Sequence, residues 1–237
     1  MRIKQVLFVS LLTFVIACQE KKITTDGFEI KGEVKGLGNA NILAIKFVNG
    51  GIELDSIQAA NDVFVYTGKV KEPYFVQLLL QNGDSTTAKL TEFMLENSRI
   101  MISGKSTEYD SVQVSGSESD KVLKAYFKED DVLNTQWDNL KEQYDLAVQA
   151  GDSVKRKELA QKLNTIFKVD RVNLLKQYVS NNANSTIGAL LPTFCTIEDA
   201  LTQEDYQEIY ETLEDAIKLT DYGKNIAERA GQEIESQ

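Results

Sequence analysis

The chain has 237 residues, 42% hydrophobic with only two prolines, enough to bury a real core as one large or two small domains. Its formal net charge is −10, and no Lys/Arg-rich cluster interrupts the acidic composition, which argues against nucleic acid as a partner. Histidine is absent, and with it Ser-His and Cys-His nucleophilic pairs, imidazole metal sites and the commonest general base.

The first element is an address. Arg2 and Lys4 precede an apolar run from Val6 to Ala17, which Gln19, Glu20, Lys21 and Lys22 terminate. A spanning helix needs about 20 apolar residues, so a run of barely a dozen reads as a secretory signal, residues 1–17. Val15-Ile16-Ala17-Cys18 resembles the lipobox of bacterial lipoproteins. The resemblance implies cleavage before Cys18, acylation of that cysteine, and a short tether over residues 18–27. Several acyl chains hold a protein stably where one does so only marginally, so the membrane is a partner through the lipid. Gln19, where aspartate is associated with inner-membrane retention, favours the outer membrane. Loss of Arg2 and Lys4 leaves 24 basic against 36 acidic residues, a net charge of −12 on the mature part.

From Phe28 to Gly116 the texture is that of a β domain. FEIKGEV, NILAIKFV, GIELDSI, VFVYTGKV, YFVQLLL, AKLTEFML, RIMIS and SVQVS read as eight short strands with turn residues between them. Asn49-Gly50-Gly51 marks a tight hairpin, and Phe64, Tyr66 and Gly68 alternate with Val63, Val65 and Thr67 as in a strand covered on at least one face. The pattern predicts an antiparallel sandwich or partly open barrel. Gly36-Leu37-Gly38 is a turn, and there is no phosphate-binding loop.

Helical spacing takes over at residue 117 and runs to 237. Ser117 and Asp120 stand in capping-box spacing before an apolar seam of Leu123, Tyr126, Leu133, Trp137, Leu140, Tyr144 and Ala147. Asp130 falls on that seam and reads as a local bend or a solvent-facing stretch rather than a buried carboxylate. Gly151 and Asp152 end one helix and begin the next, whose seam runs through Leu159, Leu163, Ile166, Phe167, Leu174, Leu175 and Tyr178. The two form a helical hairpin, its first helix roughly 45 Å long at ~1.5 Å per residue. A polar turn over Ser180 to Ser185 precedes a helix from Thr186 to Phe194, which Pro192 should kink or end. Thr202 and Asp205 cap a helix through Ile217, and Asp221 to Glu235 forms the last. The fold class is therefore α+β.

Candidate chemistry is sparse. With Cys18 acylated, Cys195 is the only thiol left, so neither a disulfide nor a CxxC pair can form. Leu191, Phe194 and Ile197 point to its burial, and Glu198 and Asp199 would raise its pKa, so it reads as inert. Glu129-Asp130-Asp131 and Glu211 with Glu214-Asp215 lack calcium-loop spacing and read as solvated helix faces. Tyr74, Tyr109 and Trp137 are candidate ligand-contact aromatics whose spacing favours the core. No catalytic, cofactor or metal residues are assigned.

GEVKGL, DSIQ, VFVYTGKVKEPYFVQL, EFMLENSRIMISG and VQVSGSESDK resemble the DUF4369-type domain of unknown function found at the N-terminus of bacterial thioredoxin-like lipoproteins. The resemblance extends through YVSNNANSTIGALL to about Tyr222. In those relatives a thioredoxin domain with a WCxxC motif follows at about the place where this sequence reaches IESQ. Their activity has no motif here to rest on. The expectation is a non-enzymatic envelope lipoprotein acting by binding or assembly with an envelope protein partner. The alternative is an accessory component of an envelope thiol-disulfide system.

Overall fold

A computed structural model describes residues 26–48, 51–82 and 85–232. Cys18, Asn49, Gly50 and Glu235 lie outside the described residues.

All eight strands form where alternation places them: β1 Phe28–Val34, β2 Asn41–Val48, β3 Gly51–Gln58, β4 Val63–Gly68, β5 Tyr74–Asn82, β6 Ser85–Leu95, β7 Arg99–Gly104 and β8 Val112–Ser115. They make two four-stranded sheets, ordered β4-β1-β7-β8 and β3-β2-β5-β6. The chain changes sheet repeatedly, and the expected antiparallel sandwich forms with one parallel pair, β1 with β7. The inner faces share a core of Ile30, Val34, Phe64, Ile100 and Ile102 from one sheet with Ile42, Ala44, Val76, Leu78 and Phe93 from the other. Val63 and Val65 stay exposed, so β4 is covered on one face only. Val48 pairs with Gly51, as a tight β2–β3 hairpin requires.

Two glycines in β1 and β4 are required by packing. The register sets Gly32 opposite Phe64 and Gly68 opposite Phe28. Each ring lies over the glycine facing it; a Cβ on Gly32 would stand 2.0 Å from the Phe64 ring and one on Gly68 2.7 Å from the Phe28 ring. The rings fill the area a side chain would otherwise cover.

The switch to helix occurs at Gly116, whose φ of +92° and close approach to the Arg99 carbonyl both exclude a side chain. Helix α1, Glu118–Gln149, is 32 residues long, or ~48 Å. Only half of its expected capping box forms: Ser117 Oγ accepts the Asp120 N–H at 3.0 Å, but Asp120 turns to β6. Asp120 Oδ1 accepts the Met94 N–H at 3.1 Å and Ser117 Oγ donates to the Met94 carbonyl at 2.7 Å. The shorter aspartate, in place of the usual Glu, thus clamps the helix start to a strand backbone. Glu96 completes the junction by accepting the Glu118 N–H at 2.7 Å.

The second helix of the hairpin is interrupted by a π turn. α2, Ser153–Thr165, runs through the π-helical turn Ile166–Asp170 into α3, Arg171–Asn181. That turn shifts the buried face by one residue, so burial steps from Ile166 to Arg171 and Val172 and on to Leu175 and Val179. α4, Thr186–Phe194, contains Pro192 and ends two residues after it. The full capping box of Thr202 and Asp205 opens α5, Gln203–Thr212. α5 stops short of the expected Ile217, because Leu213 is extended; Ile217 lies in the short α6, Asp215–Lys218. α7, Asp221–Arg229, is shorter than expected, closed by Gly231 at φ +72°.

α3, α4, α5 and α7 pack with the base of α1 around a second core of Leu123, Tyr126, Leu175, Leu190, Leu191 and Ile209. That core also takes in Met94, and Phe75 packs against it, from the outer face of the second sheet; the Phe75 and Phe194 rings are 5.5 Å apart. Among the described residues no helix is long and apolar enough to cross a membrane.

Candidate functional site

The strand NILAIKFV carries one charge, Lys46, at a position in phase with the buried Ile42 and Ala44. It lies at the open mouth of the sandwich, where its amine meets Glu53 Oε2 at 2.8 Å and Asp55 Oδ2 at 3.0 Å on β3. The Tyr66 hydroxyl donates to Asp55 from β4. β3 is an edge strand, and Ile52 and Leu54 alternate with these carboxylates as exposed apolar residues.

The β4–β5 connection and α7 complete a cleft of about 300 Å³ lined by Lys46, Glu53, Lys71, Glu72, Tyr74 and Tyr222, among others. Lys71 pairs with Asp221 at 2.9 Å. Glu72 Oε1 accepts the Asp221 N–H at 3.2 Å, and the Tyr222 hydroxyl donates to the Pro73 carbonyl at 3.1 Å. Glu72 Oε2 is buried with no hydrogen-bond partner among the described residues. The cleft therefore sits on the seam between the β and helical regions, a common place for a ligand site.

Several groups at the cleft and the adjoining network are held further in their resting states. Burial works against the charge on Lys46, but the bonds from Glu53 and Asp55 outweigh it and raise the pKa. The bond from Tyr66, then that from Lys46, lowers Asp55. Burial, helped by the Asp55 bond, raises Tyr66; burial also raises Tyr74 and pushes Tyr222 up to about 12. Each shift deepens the state that the group already holds at neutral pH, so none of these groups is poised as an acid, base or nucleophile. The arrangement offers cations, carboxylates and two tyrosine rings for recognition.

Cys195 lies elsewhere, buried beneath α4 and 7% exposed. Its thiol donates to the Pro192 carbonyl at 3.1 Å. Burial first, then the charges of Glu198 and Asp130, push its pKa up to about 11. Burial, the larger cause, and the Glu198 charge agree with the sequence reading, but the second charge is that of Asp130 and not of Asp199.

Asp130 corrects the sequence reading. It is 4% exposed and meets Arg171 at 3.1 Å between Oδ1 and Nε, without hydrogen-bond alignment of those two atoms. Oδ2 accepts from Thr196 at 3.0 Å, and Arg171 Nη2 donates to Asn134 at 3.0 Å. A helix seam tolerates a carboxylate here because the π turn brings a guanidinium against it. The neighbouring Glu129 accepts from the Tyr178 hydroxyl at 2.7 Å, while Asp131, Glu211, Glu214 and Asp215 are exposed. Among the described residues no three Asp, Glu or Cys side chains are grouped to hold a metal ion.

The three candidate aromatics are not brought together, and none is fully buried in a core. Tyr74 lines the seam cleft half-buried, and Trp137 is partly exposed on α1. Tyr109 is 41% exposed, donates to Glu92 at 2.8 Å and lies under the Lys89 amine, 4.4 Å from the ring centre. Sequence reading missed Lys46, Tyr66, Tyr222 and Arg171. Lys46 could have been found, as a charge in phase with Ile42 and Ala44.

Residues 28–123 match the family model described as a domain of unknown function, DUF4369. The matched stretch is less than half of the chain and spans β1 to β8, the Met94 clamp and the first turns of α1. No curated protein matches the chain.

Proposed function

We propose that this DUF4369-containing chain is a non-catalytic binding or assembly module of the cell envelope, anchored in the outer membrane through Cys18. The observation that carries the reading is the seam cleft, where charged groups and two tyrosine rings converge while every shifted group is held in its resting state. Burial of Cys195 supports the same reading, since exchange chemistry needs an accessible thiolate. A second reading, an accessory component of an envelope thiol-disulfide system, is favoured by the resemblance to the N-terminal region of thioredoxin-like lipoproteins. In that case the partner supplies the reactive thiols.

The test pairs two measurements. Metabolic labelling with a fatty-acid analogue should mark the wild type and spare Cys18→Ser, which should also leave the membrane fraction. The purified mature chain should show no disulfide-reductase activity. Equal labelling of both proteins removes the anchor, and measurable turnover removes the non-catalytic assignment.

A further inference from the structure

The far end of the α1–α2 hairpin has a character unlike the rest of the molecule. Lys155, Arg156 and Lys157 stand in succession at the start of α2, a short basic run that the sequence reading passed over and a local exception in a chain of net charge −10. The neighbouring cations Lys141 and Lys162 are satisfied by Asp145 and Glu158, each at 2.6 Å. Among the described residues the three consecutive cations have no ion pair. Glu158, which directly follows Lys157, is engaged by Lys162 and only feels the Lys155 charge, and Asp152 accepts the Lys155 N–H at 2.9 Å. Cations in the first turns of a helix oppose its dipole, so their placement does not serve the stability of α2.

Three large apolar side chains share this tip. Val154 is 79% exposed, Leu146 58% and Val148 46%. Singly exposed apolar residues are ordinary, but here three fall within nine positions beside the cationic triplet. Leu146 and Val148 flank the buried Ala147, and Val154 follows the turn, so the apolar groups ring the tip instead of forming a seam for a partner helix. The tip also stands away from the body: α2 packs chiefly on α1, and between Asp131 and Leu146 no α1 residue is buried. From Asp130 to Gln149 that is ~30 Å of helix.

We propose that this tip is a docking surface for an anionic lipid bilayer, its cations meeting lipid phosphates while Val154, Leu146 and Val148 enter the headgroup boundary. The charge complementarity decides the occupant: a strongly acidic protein presents its one run of three consecutive cations, beside exposed apolar residues, at the end of a helical hairpin. Such a contact does not require Cys18, and with an acylated Cys18 it would set the orientation of the body on the membrane.

The test uses the chain from Gln19 onward, which contains both cores and no acyl group. It should cosediment with phosphatidylethanolamine vesicles containing phosphatidylglycerol, bind phosphatidylcholine vesicles at least tenfold more weakly, and lose at least tenfold affinity when Lys155, Arg156 and Lys157 are all replaced by alanine. A second variant reads insertion directly. Val154→Trp in a Trp137→Phe background should blue-shift its fluorescence on the anionic vesicles. Equal sedimentation of the triple-alanine variant, or an unshifted spectrum of the introduced indole with bound vesicles, overturns the proposal. Retention on polyglutamate without vesicle binding also overturns it, in favour of an acidic protein partner.

Discussion

The β and helical regions handle charge in opposite ways. At the mouth of the sandwich, Lys46, Glu53, Asp55 and Tyr66 form a network that stays open to solvent, with Glu53 60% exposed. In the helical region Asp130 and Arg171 are both almost fully buried, 41 positions apart in sequence. The first network is anchored at the surface of an edge strand. The second is closed, so its role is to fix how α3 lies against α1. Solvent-facing charged groups thus sit at the rim of the β region and on the seam, whereas the Asp130–Arg171 pair is enclosed in the helical bundle.

Breaking the buried pair should produce the largest effect. Arg171→Ala leaves an uncompensated carboxylate and should cost about 3–5 kcal/mol in urea unfolding, whereas Asp130→Leu combined with Arg171→Met should recover most of it. A single variant of wild-type stability would show that the pair is not a lock. A smaller loss, about 1–3 kcal/mol, is expected for Gly32→Ala, whose Cβ meets the Phe64 ring; Phe64→Leu in the same chain should relieve part of it. Ser117→Ala removes both a helix cap and the Met94 bond and should cost about 1–2 kcal/mol, with faster proteolysis where the two regions meet. Comparable loss from Lys46→Met would contradict the contrast, because an open network should contribute little to stability.

The smallest effect is pH-dependent. Burial pushes the Cys195 thiol from its ordinary value of 9.0 up to about 11, so the folded state holds its proton longer than the unfolded chain. Its stabilising contribution is complete below pH 9 and declines as the pH rises towards 11. Cys195→Ala should flatten that alkaline decline while costing about 1 kcal/mol or less at pH 7 through lost packing. An unchanged alkaline slope would assign the decline to other groups.

The β region was largely readable because alternation with period two reports burial directly: Ile30 and Val34, Ile42 and Ala44, Ile100 and Ile102 all occur in phase. The parallel β1–β7 pair was not, since strand pairing depends on which sheet receives each returning strand. In the helices, Gly151, Asp152, Thr202 and Asp205 announced boundaries through local backbone chemistry. Asp130 was misread because its partner is set by the π turn at Ile166–Asp170, which period-3.6 reasoning cannot anticipate. The seam cleft was hidden for a similar reason: Lys71 and Asp221 are 150 positions apart, and only docking of α7 on the β4–β5 connection makes them neighbours.

The non-catalytic reading is tested most directly by the accessibility of Cys195 in the native protein. A maleimide reagent should label it slowly at neutral pH and rapidly once the chain is denatured, with no mixed disulfide trapped to an envelope partner. Fast native labelling together with such a trapped disulfide would contradict the reading and place the thiol-disulfide role first.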